Sequence, residues 1–257
     1  MCKGGKKMYD LQKASMWKRI SAWLFDFIMI AILTVGVAYI LTTVLSYDSY
    51  ADRFNSIKEK YATEYGVDLS VTDIESLSEQ EKENYEKADA AFAADKEAAY
   101  AFRMLINLAF IITTFSILLA FVVLEFVVPL LFGNGQTLGK KIFGIGVMRE
   151  DGVKVSPVLV FTRAILGKCT LETLVPVLTI VMMIFGIIGI MGPLILFALL
   201  IIEIALMAAT KGNQAIHDKL SYTVTVDMAS QLIFDTPEAL LEYKKRIHAE
   251  ESENKEY

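Results

Sequence analysis

Three long apolar blocks, separated by stretches as polar as a soluble surface, decide what this chain can fold into. They run from Ile20 to Leu45, from Met104 to Phe132 and from Leu171 to Ala209. An α-helix needs about 20 consecutive apolar residues to cross the hydrocarbon core of a bilayer. In lipid every backbone polar group must be satisfied internally, so each block reads as helix. With 54% hydrophobic residues gathered in this way, the fold class is an all-α integral membrane protein. The first block follows a basic stretch but is longer than a signal-peptide core of roughly 7–15 residues, and no clear A-x-A site follows it. It reads as a retained span.

The third block is too long for one span and long enough for two. Gly189, Gly192 and Pro193 stand near its middle, where a tight reversal would fall. A three-span chain with one kinked helix competes with a four-span chain, and charge decides between them. Residues 1–19 hold Lys3, Lys6, Lys7, Lys13, Lys18 and Arg19 against Asp10 alone. Residues 133–170 hold Lys140, Lys141, Arg149, Lys154, Arg163 and Lys168 against Glu150 and Asp151. Residues 47–102 carry six basic and fourteen acidic side chains. Basic flanks stay in the cytoplasm. Lys211 and Lys219 then belong inside as well, which four spans satisfy and three do not.

The resulting map has a basic cytoplasmic segment over 1–19, a first span over 20–46 and an extracellular acidic helical loop over 47–103. A second span over 104–132 leads to a cytoplasmic juxtamembrane segment over 133–170. Spans three and four cover 171–190 and 193–210, followed by a cytoplasmic His-Asp motif and strand over 211–234 and a charged helical tail over 235–257. In the outer loop, Ser78-Glu79-Gln80-Glu81 is a capping box, and the Ala/Glu/Lys-rich run behind it predicts a helix continuous with the second span, paired with another over 48–65. Between Gly144 and Val155 apolar and polar residues alternate around Asp151-Gly152, the pattern of a short hairpin at the inner membrane surface. Lys140 and Lys141 precede it on an amphipathic turn, placed to meet anionic head groups. Asp235-Thr236-Pro237 opens the tail helix.

Several function classes fall away. Cys2 and Cys169 are far apart and form no CxxC pair, and His217 and His248 are too few for a histidine metal centre. Gly135 to Lys141 resembles a phosphate loop, but GxxxxGK[ST] needs Gly at 134 and Ser or Thr at 141. No metal, cofactor or nucleic-acid partner is expected, nor an enzyme, since no nucleophile–base pair is in evidence.

Four acids interrupt the apolar blocks: Asp26, Glu125, Glu172 and Glu203. Charge in lipid is costly, so these should face protein or water and find partners. Asp26 lies seven residues beyond Arg19, about 10 Å up the helix. Glu125 and Glu203 each lie seven residues before the inner end of their spans, at Phe132 and Thr210, and Glu172 sits near the inner start of the third. All four therefore belong to one layer of the inner leaflet. Arg19, Ala22 and Asp26 share a helix face, with small Ala22 admitting a neighbouring helix. Pro129 frees the carbonyl of Glu125 from its helical hydrogen bond. Arg163 and Lys168 enter from the same side and are placed to pair with the acids. The cluster reads either as a salt-bridge device that fixes helix packing or as a binding site for a cation or proton.

Arg19-x-x-Ala22-x-x-x-Asp26, then Gln136-Thr137-Leu138-Gly139-Lys140-Lys141 with Gly144 and the Asp151-Gly152 turn, then Gln214-Ala215-Ile216-His217-Asp218-Lys219-Leu220 followed by Thr223-Val224 resemble, in this order, the RDD family of membrane proteins over residues 15–228. Arg19, Asp26 and Asp218 match the residues that give the family its name. The acidic loop and charged tail look like additions to the family's pattern. Some members of the family have been proposed as sodium/proton antiporters. The resemblance thus implies a bacterial plasma-membrane protein, with both termini cytoplasmic, that moves or binds a monovalent cation or proton. Asp26 would be the central carboxylate, its charge set by Arg19, with Glu125, Glu172 and Glu203 along the path. Four small spans leave little room for a whole pathway, which favours a homo-oligomer. The competing reading is a non-transporting scaffold or stress-response accessory protein.

Overall fold

The computed structural model describes residues 11–71, 73–210 and 212–253. Cys2, Lys3, Lys6, Lys7, Asp10 and Lys211, which enter the sequence argument above, lie outside them. In chain order the main elements are α1 (Met16–Val44), α2 (Tyr47–Tyr65), α3 (Glu79–Ala94), α4 (Lys96–Phe132), α5 (Leu138–Ile142) and β1 (Ile145–Arg149). They continue with α6 (Pro157–Ile184), α7 (Met191–Ala209), α8 (Ile216–Leu220), β2 (Thr223–Asp227) and α9 (Pro237–Glu253). α1, α4, α6 and α7 are long and apolar enough to cross a membrane, the four spans that the charge pattern favours. Their outward faces carry Trp23, Phe27, Ile32 and Val35 on α1 and Phe197, Leu200 and Ile204 on α7, all exposed. Apolar surface on this scale belongs in lipid.

The chain divides into two compact units, one of residues 36–115 and one of the residues before and after them. In the first, α2 packs through aromatic rings on α3 and on the start of α4: Phe54 stands 5.4 Å from Phe92 and 5.5 Å from Phe102, centroid to centroid. The capping box is present, with Ser78 N donating to Glu81 Oε2 at 2.9 Å. The helix it opens does not run on into the second span, however. Asp95 leaves the helical conformation, and its carboxylate takes the N–H groups of Glu97 and Ala98 at 2.8 and 3.0 Å. An aspartate that caps a new helix start outweighs the helix propensity of its alanine-rich neighbours.

In the other unit the third span begins at Pro157, capped by Ser156, and not near Leu171. Charged Arg163, Lys168 and Glu172 hide its first half from a search for apolar runs. From Thr162 to Leu174 it is π-helical, and α4 has a shorter π-helical stretch from Val122 to Val127. Val128-Pro129 and Val175-Pro176 follow these stretches directly. A proline cannot donate its N–H and crowds the carbonyl four residues back, and the backbone upstream answers by widening. Those carbonyls belong to Glu125 and Glu172. The expectation for Pro129 therefore recurs at Pro176.

β1 does pair, but its partner is β2 rather than the segment after Asp151-Gly152. The two strands are antiparallel, with Val147 opposite Thr225 at the centre. The tight turn survives, with Gly152 N donating to Arg149 O at 3.0 Å, and contributes a single bridge from Met148 to Lys154. A longer, all-residue ladder with the alternating segment 223–227 is the better use of the strand's N–H groups.

A repeat emerges from these elements. A constant step of 78 residues carries α5 onto α8 (138 to 216) and β1 onto β2 (145 to 223). The same step carries Glu125 onto Glu203 and Gln136 onto Gln214. Gln136 Nε2 donates to Ile145 O at 2.9 Å, and Gln214 Nε2 donates to Thr223 O at 2.7 Å, the same bond twice. Met228 N to Gly144 O at 3.0 Å and Glu150 N to Tyr222 O at 3.1 Å close the two ends of the ribbon alike. Two copies of span–span–short helix–strand thus face each other across the Val147–Thr225 pair.

Candidate functional site

Each short helix starts with free backbone N–H groups that need acceptors. In α5 the N-cap Thr137 takes Lys140 N at 3.3 Å, and the next donor, Gly139 N, goes to Asp26 Oδ1 of α1 at 2.8 Å. Thr137 also donates its hydroxyl to Asp26. In α8 the N-cap is Ala215, whose side chain can accept nothing. Ile216 N donates instead to Glu203 Oε2 at 3.2 Å and His217 N to Glu172 Oε1 at 2.7 Å. Gly139 and His217 are equivalent in the repeat, and each hands its N–H to a carboxylate from the first span of its own half.

Close packing makes these caps reachable. A Cβ on Gly139 would collide with the carbonyl oxygen of Ala22 and stand 3.0 Å from the Asp26 carboxyl carbon. A Cβ on Gly167 would fall 2.5 Å from His217 Cβ and 2.6 Å from its Cα. The missing side chain lies on the short helix in one half and on the span in the other.

The charge network follows from this docking. Asp218, fully buried, receives Arg163 NH2 at 2.7 Å and Arg19 NH2 at 3.5 Å. Burial alone would raise its pKa, but the guanidiniums of Arg163 and Arg19 hold it below the ordinary value. Arg19 does share a face with Asp26, yet its partner is Asp218, and Asp26 has no arginine. That overturns Asp26 as a central carboxylate tuned by Arg19: two donors from α5 engage it, and it is 6% exposed. Glu125 pairs with Lys168 Nζ at 2.5 Å. The π-helical ladder makes this possible. In an α-helix five residues turn about 500°, leaving Arg163 and Lys168 some 140° apart. With i→i+5 bonding each turn takes in more residues, and Arg163, Lys168 and Glu172 all face the cluster.

His217 lies between two carboxylates, with Nδ1 2.8 Å from Glu172 Oε2 and Nε2 3.7 Å from Asp218 Oδ1. Burial, opposed by Asp218 and aided by Arg163, Lys168 and Lys140, pushes its pKa well below the usual value. A neutral ring that donates from Nδ1 to Glu172 fits that balance. Lys140 is 7% exposed, so it does not lie at the head groups as expected; exposed Lys141 does not share its burial and rests its Nζ 3.7 Å above the Phe132 ring. Burial and the nearby cations Lys168 and Arg163 lower Lys140 to about 7, against the opposite pull of Glu125 and Asp26.

A cavity of about 520 Å³ joins these groups. Its wall includes all six residues that the sequence nominates for the intramembrane cluster: Arg19, Asp26, Glu125, Arg163, Glu172 and Glu203. Lys140, Lys168 and His217 line it too. Lys168 was visible as a pairing candidate, while the cavity role of Lys140 had no signal in a motif read as surface. Among the described residues, Glu203 and Asp26 have no Lys, Arg or His within ion-pair distance. The cluster holds five carboxylates with Asp218 counted, against four permanent or titrating cations and a neutral histidine.

A protein-family model described as the RDD family matches residues 13–222, a stretch that takes in every member of the cluster. No curated protein and no solved structure matches the chain.

Proposed function

The chain belongs to the RDD family, and from that premise we propose that it binds a monovalent cation or a proton at Glu172 and Glu203 and carries it across the membrane. One observation supports this reading above the others. Carboxylates from two successive spans converge on the consecutive N–H groups of Ile216 and His217 at the wall of a large cavity, with only a neutral imidazole as side-chain partner. Neighbouring carboxylates repel, and a small cation or a shared proton relieves the repulsion. Asp26 acts here as a positioning residue that fixes α5 and, through it, Lys140. The protein works without catalytic chemistry. In this reading α5, α8 and the β-ribbon lie on the cytoplasmic side of a bacterial plasma membrane with both termini, and α2 and α3 lie outside. Lys141 meets anionic head groups, and a homo-oligomer supplies what four spans lack.

The test is cation-dependent proton flux in proteoliposomes, comparing the native chain with Glu203→Gln and Glu172→Gln. Flux in the native protein that falls at least tenfold in a variant of unchanged elution profile supports transport. No flux from the native chain with sodium, potassium or lithium overturns it. A scaffold role is the second reading, favoured by one feature: Asp218 with Arg19 and Arg163 is a buried triad that locks α1, α6 and α8 together. Absent flux together with severe destabilisation on Asp218→Asn would select it.

A further inference from the structure

The two halves differ most at one pair of equivalent positions. The step that carries α5 onto α8 carries Lys140 onto Asp218. Asp218 is saturated by two arginines and Thr223. Lys140 is buried to the same degree of consequence, yet its Nζ has no acceptor within hydrogen-bond or ion-pair distance among the described residues. A buried ammonium without a partner is costly, far more so than a buried neutral amine. Its place is nevertheless fixed: Thr137 caps its N–H, and Gly139 wedges the preceding residue against Ala22. The side chain opens onto the 520 Å³ cavity that also reaches Glu172 and Glu203.

We infer that Lys140 is the proton carrier of this site, giving up one proton when a monovalent cation enters at Glu172 and Glu203 and regaining it when the cation leaves. The inference rests on the function proposed above and names the coupling within it. The balance closes on each side. The cation adds one positive charge, Lys140 passes from ammonium to amine, and the released proton leaves through the cavity, so the net charge of the cluster is unchanged. Charged and titratable groups face Lys140 from every neighbouring element: Asp26 of α1, Glu125 of α4, Arg163 and Lys168 of α6, and His217 and Asp218 of α8. Glu125 is committed to Lys168, Asp218 to the arginines, and His217 is neutral. Arg163 and Lys168 each have a carboxylate partner, at 2.7 and 2.5 Å. Of the cluster's four cations Lys140 alone has no carboxylate partner among the described residues, which leaves it the one whose proton is cheapest to lose.

Proton release on cation addition tests this directly. Sodium or potassium chloride is added to the purified full-length chain in weakly buffered detergent solution at pH 7, with choline chloride as the blank, and released protons are counted with an indicator dye. The native chain should release up to about half a proton per chain at this pH, since Lys140, with its pKa at about 7, is about half protonated there, and Lys140→Arg, which keeps the charge but cannot titrate, should release less than a tenth of that. Lys140→Gln, with no proton to give, should match it. Release from Lys140→Arg equal to the native value overturns the inference. Cation uptake into proteoliposomes is measured in parallel. Uptake by the native chain without proton release also overturns the inference and leaves the transport reading standing. Absence of both uptake and release in the native chain overturns the two together.

Discussion

The two halves of the membrane unit are built to one plan and carry charge in opposite ways. The first half, α1 and α4 with α5 and β1, holds its carboxylates close to cations or firm donors: Glu125 has Lys168, and Asp26 has Thr137 and Gly139 beneath Lys140. In the second half, α6 and α7 with α8 and β2, Asp218 takes Arg163 of its own half and Arg19 of the first, and Glu172 and Glu203 have neutral partners. Equivalent backbones thus hold their carboxylates differently, Glu125 by a lysine lent from α6 and Glu172 and Glu203 by neutral donors. A pseudo-symmetric fold supplies the geometry, and a single exchange of sign between Lys140 and Asp218 supplies the asymmetry. Function belongs to that difference.

The contrast can be broken most sharply at the exchanged pair. Asp218→Asn strands Arg19 and Arg163 in the interior and should cost about 3–5 kcal/mol, read as a large fall in the unfolding midpoint in detergent. Lys140→Met removes a buried charge that has no partner and should be neutral or stabilising. Equal losses from the two substitutions would mean that the halves do not differ in how they hold charge.

The next effect is in pH. Lys140 falls from its ordinary 10.5 to about 7 on folding. Between those values the unfolded chain binds a proton that the folded chain lacks, so stability should rise with pH across that window. Lys140→Met should remove this slope while leaving others in place. A native profile no steeper than the variant's over the same range would show that folding does not lower Lys140.

Smaller losses should follow at the two close approaches. Gly139→Ala and Gly167→Ala each force backbone apart and should cost about 1–3 kcal/mol, whereas Gly36→Ala, with open space around it, should cost nothing measurable. Smallest are the repeated glutamine bonds. Gln136→Ala should lose about 1 kcal/mol, and Gln214→Ala somewhat more, because its amide also reaches Glu150 Oε1 at 2.7 Å. If Gln136→Ala is silent, the repeat is shared in shape and not in energetics.

Much of this was legible in the residues, and the failures have a common cause. Apolar length and charge asymmetry gave four spans, and the depth argument put Asp26, Glu125, Glu172 and Glu203 in one layer, the residues that now line one cavity. What could not be read was anything that depended on distant partners. Arg19 and Asp26 share a face, but Asp218, 199 residues from Arg19, competes for the guanidinium and wins. β1 had a plausible neighbour eight residues on and pairs instead with a strand in the other half. The third span was shortened because Arg163, Lys168 and Glu172 lower its apolar score, and their common face exists only in a π-helical ladder. The repeat itself left a trace in Glu125/Glu203, Gln136/Gln214 and Lys141/Lys219, all at one spacing. Three matched positions across divergent loops are easily passed over.

The antiparallel ribbon also sets a timetable for biogenesis. β1 leaves the ribosome 78 residues before β2, a wait of roughly 4–16 s at 5–20 residues per second. Arg19 waits for Asp218 for roughly 10–40 s at the same rate. Throughout that interval the first pair of spans must rest in the translocon or the bilayer with its arginine hydrated at the membrane edge and its strand open. Completion of the second half, rather than insertion of the first, is therefore the event that closes the ribbon and the Arg19–Asp218 pair.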